Sequence, residues 1–296
     1  MPPRRDILLM TVAVVAVSTS GPLMAGAAAP ALAIAFWRNF GGAVAVAPYA
    51  LLRHRSELFN LTRRERAWTL CSGLMLALHF ATWAPSLQMT SVASATALVA
   101  TLPIWVALIS RLTGHAVPAR TWWGIGISMV AVLLLTGVDL SVSGRALAGD
   151  LLALAGGVFA ALYTVAGAEV RRTVTTTAYT FWCYGTAAVG LLAGCLVGRQ
   201  QLWGYSGSTW LALLALTAGA QLLGHSLFNV VLRTTSATVV ALVLLLEVPG
   251  AAAIAAVTLD QQPPAAVIPA AVLLLVGIAV VVSARPRDLP PTFPVD

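Results

Sequence analysis

The sequence predicts an all-α integral membrane protein, its ten transmembrane helices arranged as two inverted five-helix repeats. Three observations point there. Of 296 residues, 59% are hydrophobic and 9% charged, and mean hydropathy is +0.89; a water-facing domain carries about 25% charged residues. The apolar residues gather into runs of the length that a bilayer requires, about 20 residues. Rare residues also recur at one near-constant spacing.

The runs follow in order. The first two, 7–26 and 30–52, part between Gly21-Pro22 and Pro30, where proline removes helix donors. Residues 67–110 hold no Arg, Lys, Asp or Glu and are too long for one crossing, so they divide at Met89-Thr90-Ser91 into 67–87 and 91–112. The fifth run is 120–138. After a polar loop come 149–168 and 177–198, then 208–232, 236–258 and 264–284. The tail, Arg285 to Asp296, holds four prolines and reads as disordered.

Charge tests this layout. All seventeen basic residues are Arg. With both termini cytoplasmic and ten crossings, fourteen Arg fall in cytoplasmic segments or helix ends. Arg145 and Arg199 fall outside, and Arg38 lies within a helix. Such a bias is what the positive-inside rule requires. The net charge of +7 is therefore topological, with no nucleic-acid partner implied.

Cys71, Cys183 and Cys195 lie inside apolar runs, with no CxxC pair and no Cys/His cluster. Neither a metal site, a disulfide framework nor a cofactor is expected. Arg4-Arg5-Asp6 before an apolar run resembles a signal peptide, and Ala25 to Ala29 offers a cleavage site. Asp150-Leu151-Leu152 opens a helix in the same way, so the first run is kept as a real span.

Gly73, His79, Leu98 and Pro103 recur 146 positions later as Gly219, His225, Leu244 and Pro249. Phe36-Trp37 recurs as Phe181-Trp182 at 145, and Asp6 as Asp150 at 144. The halves are 1–140 and 146–286, with 287–296 a cytoplasmic tail. Five crossings per half force the second half to run inverted. Inverted repeats characterise secondary transporters, whose sites lie near the midplane between the halves.

Met89-Thr90-Ser91-Val92-Ala93 leading to Leu102-Pro103 has a counterpart. It is Thr235-Ser236-Ala237-Thr238 leading to Leu246-Glu247-Val248-Pro249. With these, Gly149-Asp150-Leu151-Leu152, Ala161-Leu162-Tyr163 and Arg38 make the chain resemble the EamA-type members of the drug/metabolite transporter superfamily, over nearly its whole length. The resemblance implies a secondary transporter of a small metabolite, amino acid or drug-like compound, often an exporter, in a bacterial plasma (inner) membrane. Two departures stand out. Gly114-His115 and Asp260-Gln261 replace the frequent Gly-Glu pairs, and a usual Glu-Pro pair is spaced out as Glu247-Val248-Pro249.

Charges inside a bilayer are costly and default to functional hypotheses. Glu247, eleven residues beyond Ser236, is a candidate for binding a proton, a cation or a substrate amine; a packing role is the alternative. Arg38 suits an anionic group or a pair with Glu247, or equally a structural role. Met75, His79 and Trp83 form a four-residue-spaced stripe, matched by Gln221, His225 and Asn229. Residues so spaced share a helix face, and the two stripes could meet across one cavity. Tyr163 and Trp83 are candidate cavity aromatics, while Trp37 and Trp182 read as packing residues. Trp68, Trp122, Trp123, Trp203 and Trp210 fit an interfacial belt. Gly124, Gly126, Gly156, Gly157 and Gly219 fit close helix approach.

No HExxH, GxSxG or P-loop occurs, so no catalysis or ATP drive is read from the chain. The expected partners are a small-molecule substrate, the bilayer and a coupling proton or ion, in a monomer or homodimer. The rivals are an intramembrane enzyme, which would pair His79 with Glu247, and a non-transporting scaffold.

Overall fold

A computed structural model describes residues 2–90, 92–136, 143–258 and 267–283. Its apolar helices, in chain order, are α1 (Arg4–Gly26), α2 (Ala31–Arg53), α3 (Arg63–Ser86), α4 (Ala95–Leu112) and α5 (Ala119–Leu134). There follow α6 (Gly144–Val170), α7 (Thr176–Val197), α8 (Gly207–Val231), α9 (Ala237–Thr258) and α10 (Ile268–Val282). Eight are long and apolar enough to cross a membrane. The shorter pair, α5 and α10, border undescribed residues, so helix length establishes eight of the ten expected crossings. Ser91, residues 137–142, Asp260-Gln261, the start of the last run and the tail lie outside the described residues.

Hydropathy locates lipid, whereas capping locates helix ends, and the two differ. Thr62 and Glu65 form a reciprocal capping box, the Thr62 amide donating to the Glu65 carboxylate at 2.9 Å. It starts α3 at Arg63, four residues before the apolar run. Ser143 accepts from the Ala146 amide at 3.2 Å and starts α6 at Gly144, five residues early. Thr175, Ser206 and Ser236 cap α7, α8 and α9 in the same manner.

Three spans break inside the bundle. In α1 the break is at Thr19, ahead of Pro22. In α4 it lies between Val99 and Leu102, ahead of Pro103; in α9 between Leu244 and Glu247, ahead of Pro249. Each proline lacks the N–H that would bond the carbonyl four residues back. Hydroxyls fill part of the gap: Thr101 Oγ1 donates to the Leu98 carbonyl at 2.7 Å and accepts from Trp105 Nε1 at 3.0 Å. The α4 and α9 breaks stand one repeat apart, so the duplication extends to backbone geometry.

In α8, residues Leu216–His225 form a π-helix, with Ser226 N–H bonding back to the Gln221 carbonyl. The matched stretch of α3 is ordinary α-helix.

Packing obeys exchange of the halves. Contact of α3 with α6 has its mate in α8 with α1; α4 with α6 in α9 with α1; α3 with α7 in α8 with α2. The pairs α2–α7 and α5–α10 map onto themselves.

Glycine admits some of these approaches. A Cβ on Gly124 would lie 2.7 Å from the Gly277 carbonyl oxygen, and one on Gly157 would lie 3.2 Å from the carbonyls of both Leu98 and Val99. Gly156 is held as closely against Trp83. Gly126 faces open space and Gly219 has only ordinary contact with Thr19, so neither serves close approach. Gly126 fails because two residues turn it about 200° around the helix from Gly124, away from α10. Gly157→Val would drive a branched side chain into the broken turn of α4. Overpacking of this kind costs about 1–3 kcal/mol. The variant is expected to melt several degrees lower in detergent; an unchanged melting temperature would contradict that packing.

One end of the bundle is latched across the halves. Buried Asp6 accepts from the hydroxyls of Thr234 (2.6 Å) and Thr235 (2.8 Å). Glu57 accepts from Thr175 N (2.7 Å) and Thr175 Oγ1 (2.6 Å). Arg64 pairs with Glu169 at 3.0 Å. At the same end, within the second half, buried Arg171 donates to the carbonyls of Asn229 (3.2 Å) and Val174 (2.8 Å) and to the Thr176 hydroxyl. At the other end Trp37 stacks edge-on with Trp203 and Trp210, and its Nε1 bonds the Leu202 carbonyl at 2.9 Å.

Candidate functional site

A cavity lies between the halves, walled by residues of α3, α4, α6, α8 and α9. It offers about 70 Å³ to the centres of water molecules. One water requires roughly 10–15 Å³ by that measure, so several waters or a ligand's polar part fit.

Six expected residues share its wall: His79, Trp83, Tyr163, His225, Asn229 and Glu247. The second and third members of each stripe therefore do meet across one space. The first members do not. Met75 packs into the core, and Gln221 turns toward α2.

His79 Nδ1 lies 2.9 Å from the Gly156 carbonyl. A carbonyl only accepts, so Nδ1 carries a proton. The His79 ring stacks on Trp83 with centroids 5.6 Å apart and planes 17° apart. Tyr163 OH donates to Asn229 Oδ1 at 3.2 Å, tying α6 to α8. His225 meets the edge of Phe80 at 6.3 Å and has no hydrogen bond among the described residues.

The wall holds unspent polar capacity. Trp83 Nε1, Asn229 Nδ2 and Thr96 Oγ1 are buried on it without a partner among the described residues. Buried polar groups are normally bonded, so orphans gathered at one cavity call for partners that water or a ligand within it would supply. Facing these groups is Glu247, the eleventh of the 22 residues of α9. Its carboxylate has no hydrogen bond or ion pair among the described residues, though the Arg38 charge acts on it. Glu247 begins the second segment of α9, where the break ahead of Pro249 turns the chain.

Arg38 is fully buried behind this wall and off it. Its Nε donates to Gln221 Oε1 and its Nη1 to Ser20 Oγ, both at 2.6 Å. Gln221 Nε2 passes the network to Asn39 Oδ1 at 3.0 Å. The guanidinium carbon sits 4.6 Å over the Phe80 ring, and Nη2 has no hydrogen-bond partner among the described residues. Arg38 thus neither snorkels nor pairs directly with Glu247; it ties α2 to α1 and α8. Expectation had passed over Thr96, Ser20 and Asn39. A hydroxyl beside a proline and an amide beside an intramembrane Arg were the available signals.

Trp37 and Trp182 pack and bond backbone carbonyls, Leu202 and Leu58 respectively. Cys183 and Cys195 are buried and Cys71 exposed, all free thiols. No cluster of metal-ligating residues occurs among the described residues.

A search of curated proteins returns no significant match. A solved crystal structure, described only as that of a protein, superposes with a TM-score of 0.73 at 21% identity. The match covers 93% of this chain and 96% of that one, which establishes a shared fold. The model of the EamA-like transporter family, whose members carry small molecules across membranes, matches residues 4–137 and again 147–283. With two matched repeats spanning nearly all of a multi-pass membrane chain, the protein belongs to the EamA-like transporter family.

Proposed function

We propose that this protein is a secondary transporter that works by alternating access, with Glu247 exchanging a proton or holding a substrate amine. The observation that carries this reading is an intramembrane carboxylate without a bonding partner, set on the wall of an inter-half cavity opposite orphaned donors. The donors of Trp83, Asn229 and Thr96 suit an acceptor group on the ligand, and Glu247 suits a cationic one. A small amphiphilic metabolite, amino acid or drug-like compound carries both. Stacked His79 and Trp83 offer a flat face to an apolar part.

In this reading each half, 1–140 and 146–286, is a five-helix unit, and the two units are inverted and rock about the cavity. Both termini face the cytoplasm of a bacterial cell, and the chain exports its substrate as a monomer or homodimer. The latched rim supports a closed cytoplasmic gate. An ion or proton gradient supplies the energy.

Two rival readings lose support from the geometry. An intramembrane enzyme would need His79 and Glu247 assembled as a pair, yet His79 bonds Gly156 and makes no hydrogen bond or ion pair with Glu247. A scaffold would pair its intramembrane charge, and Glu247 makes no hydrogen bond or ion pair among the described residues. The test is transport into proteoliposomes under an imposed pH gradient, using radiolabelled amino acids and cationic amphiphiles. The expected result is gradient-dependent accumulation of a compound that mass spectrometry recovers unchanged. A chemically altered product, or no gradient dependence for any compound, would overturn the reading.

A further inference from the structure

Away from the central cavity, a second hollow opens beside the α2–α3 link. Leu58, Phe59, Leu61, Leu70 and Trp182 wall it and Arg66 stands on its rim. It offers about 280 Å³ to the centres of water-sized molecules. Its walls carry almost no free polar capacity. Trp182 Nε1 is spent on the Leu58 carbonyl at 3.1 Å, and the hydroxyl of Thr69 on the Glu65 carbonyl at 2.7 Å. Water gains little in such a slot, whereas a hydrocarbon chain gains contact throughout.

The rim has the opposite character. Arg66 is exposed, and its guanidinium makes one long hydrogen bond, 3.4 Å to the Leu61 carbonyl. The nearby carboxylates are already committed: Glu57 to Thr175 and His54, Glu65 to Thr62, and Glu169 to Arg64 and Arg172. Arg53, Arg55, Arg63 and Arg66 therefore have no ion pair among the described residues. Trp68, two residues into α3 from Arg66, is 40% exposed, as suits an aromatic at the lipid–water boundary. An apolar slot beneath uncompensated cations at that depth matches one kind of molecule.

We propose that this hollow is a binding site for an anionic phospholipid, one acyl chain lying in the slot and the phosphate resting on the Arg66 guanidinium. The slot is walled by the α2–α3 link and by Trp182 of α7, which belong to different halves. A lipid seated there clamps the halves at the rim that Glu57 and Thr175 latch. This site stands apart from the central cavity and from the transport reading.

The test uses purified full-length protein in detergent, with phosphatidylglycerol or phosphatidylcholine of matched acyl chains added. Phosphatidylglycerol is expected to raise the melting temperature several degrees more than phosphatidylcholine. Arg66→Gln and the slot-filling Leu70→Trp should each remove at least half of that increment. Arg199→Gln should retain it. Native mass spectrometry, counting lipids retained per folded chain, gives a readout independent of each variant's own stability. Equal retention of phosphatidylglycerol by wild type and Arg66→Gln would overturn the proposal. So would an equal shift with inorganic phosphate alone, or no preference between the two lipids.

Discussion

Glu247→Gln is expected to reduce gradient-driven transport at least tenfold and to erase its pH dependence, while the protein melts at or slightly above the wild-type temperature. The two halves of this expectation have separate causes. A carboxylate that exchanges protons or holds an amine cannot be replaced by an amide, which does neither. Stability should not fall, because Glu247 holds no hydrogen bond or ion pair among the described residues that the amide would break. A charge near a helix centre costs about 2.5 kcal/mol on insertion scales, and the substitution removes that cost whenever the group is ionised. Glu247→Asp keeps the charge one methylene further from its target and should retain part of the activity. If Glu247→Gln transports with an unchanged rate and proton response, this residue is not the coupling group. Loss of folding together with activity would mean a structural carboxyl, contrary to its unpartnered geometry.

Arg38→Met should destabilise the protein strongly. The substitution orphans Gln221 Oε1 in a buried setting, leaves Ser20 Oγ only its weak bond to Met24 Sδ, and removes the cation from the Phe80 face. Each orphaned buried group costs about 1–3 kcal/mol. Together the losses should lower the melting temperature in detergent by many degrees or prevent assembly. Arg38→Lys should not rescue it, because an ammonium is a point charge and lacks the planar fork that reaches two partners while stacking. A double-mutant cycle isolates the network. If Arg38 and Gln221 act as one unit, Arg38→Met with Gln221→Leu should cost less than the sum of the single losses. Additive losses, or a wild-type melting temperature for Arg38→Met, would show that the network is not a unit.

Much of the fold was legible because it follows from two strong signals, hydropathic run length and proline position. The runs predicted nearly every helix, whereas the breaks in α4 and α9 went unread, although Pro103 and Pro249 carried their signal. Helix starts were less legible. Thr62 and Ser143 cap their helices from polar sequence outside the apolar runs. The meeting of His79 with His225 was readable from stripe spacing, and so were the wall positions of Trp83 and Asn229, while Tyr163 was legible only as an aromatic within a span. The turn of Gln221 away from the cavity was not. Residues four apart drift about 40° around a helix, and the spacing does not say which end of a stripe leaves the cavity; Met75, in ordinary α-helix, leaves it as well. The pairing of Arg38 with Gln221, 183 residues away, leaves no local trace in sequence at all. The latches of Asp6 with Thr234 and Thr235 were hidden for the same reason.

The widened turns of α8 bear on how the molecule rests between turnovers. Were the two halves conformationally interchangeable, swapping their shapes would leave the energy unaltered, and inward- and outward-open forms would be equally populated. Residues 216–225 adopt a winding that their counterparts in α3 do not share, so the swap is imperfect. A difference of only 1.4 kcal/mol between the forms already gives a tenfold bias. On the alternating-access reading proposed above, this asymmetry biases the empty carrier toward one side of the bilayer, where its substrate first meets it.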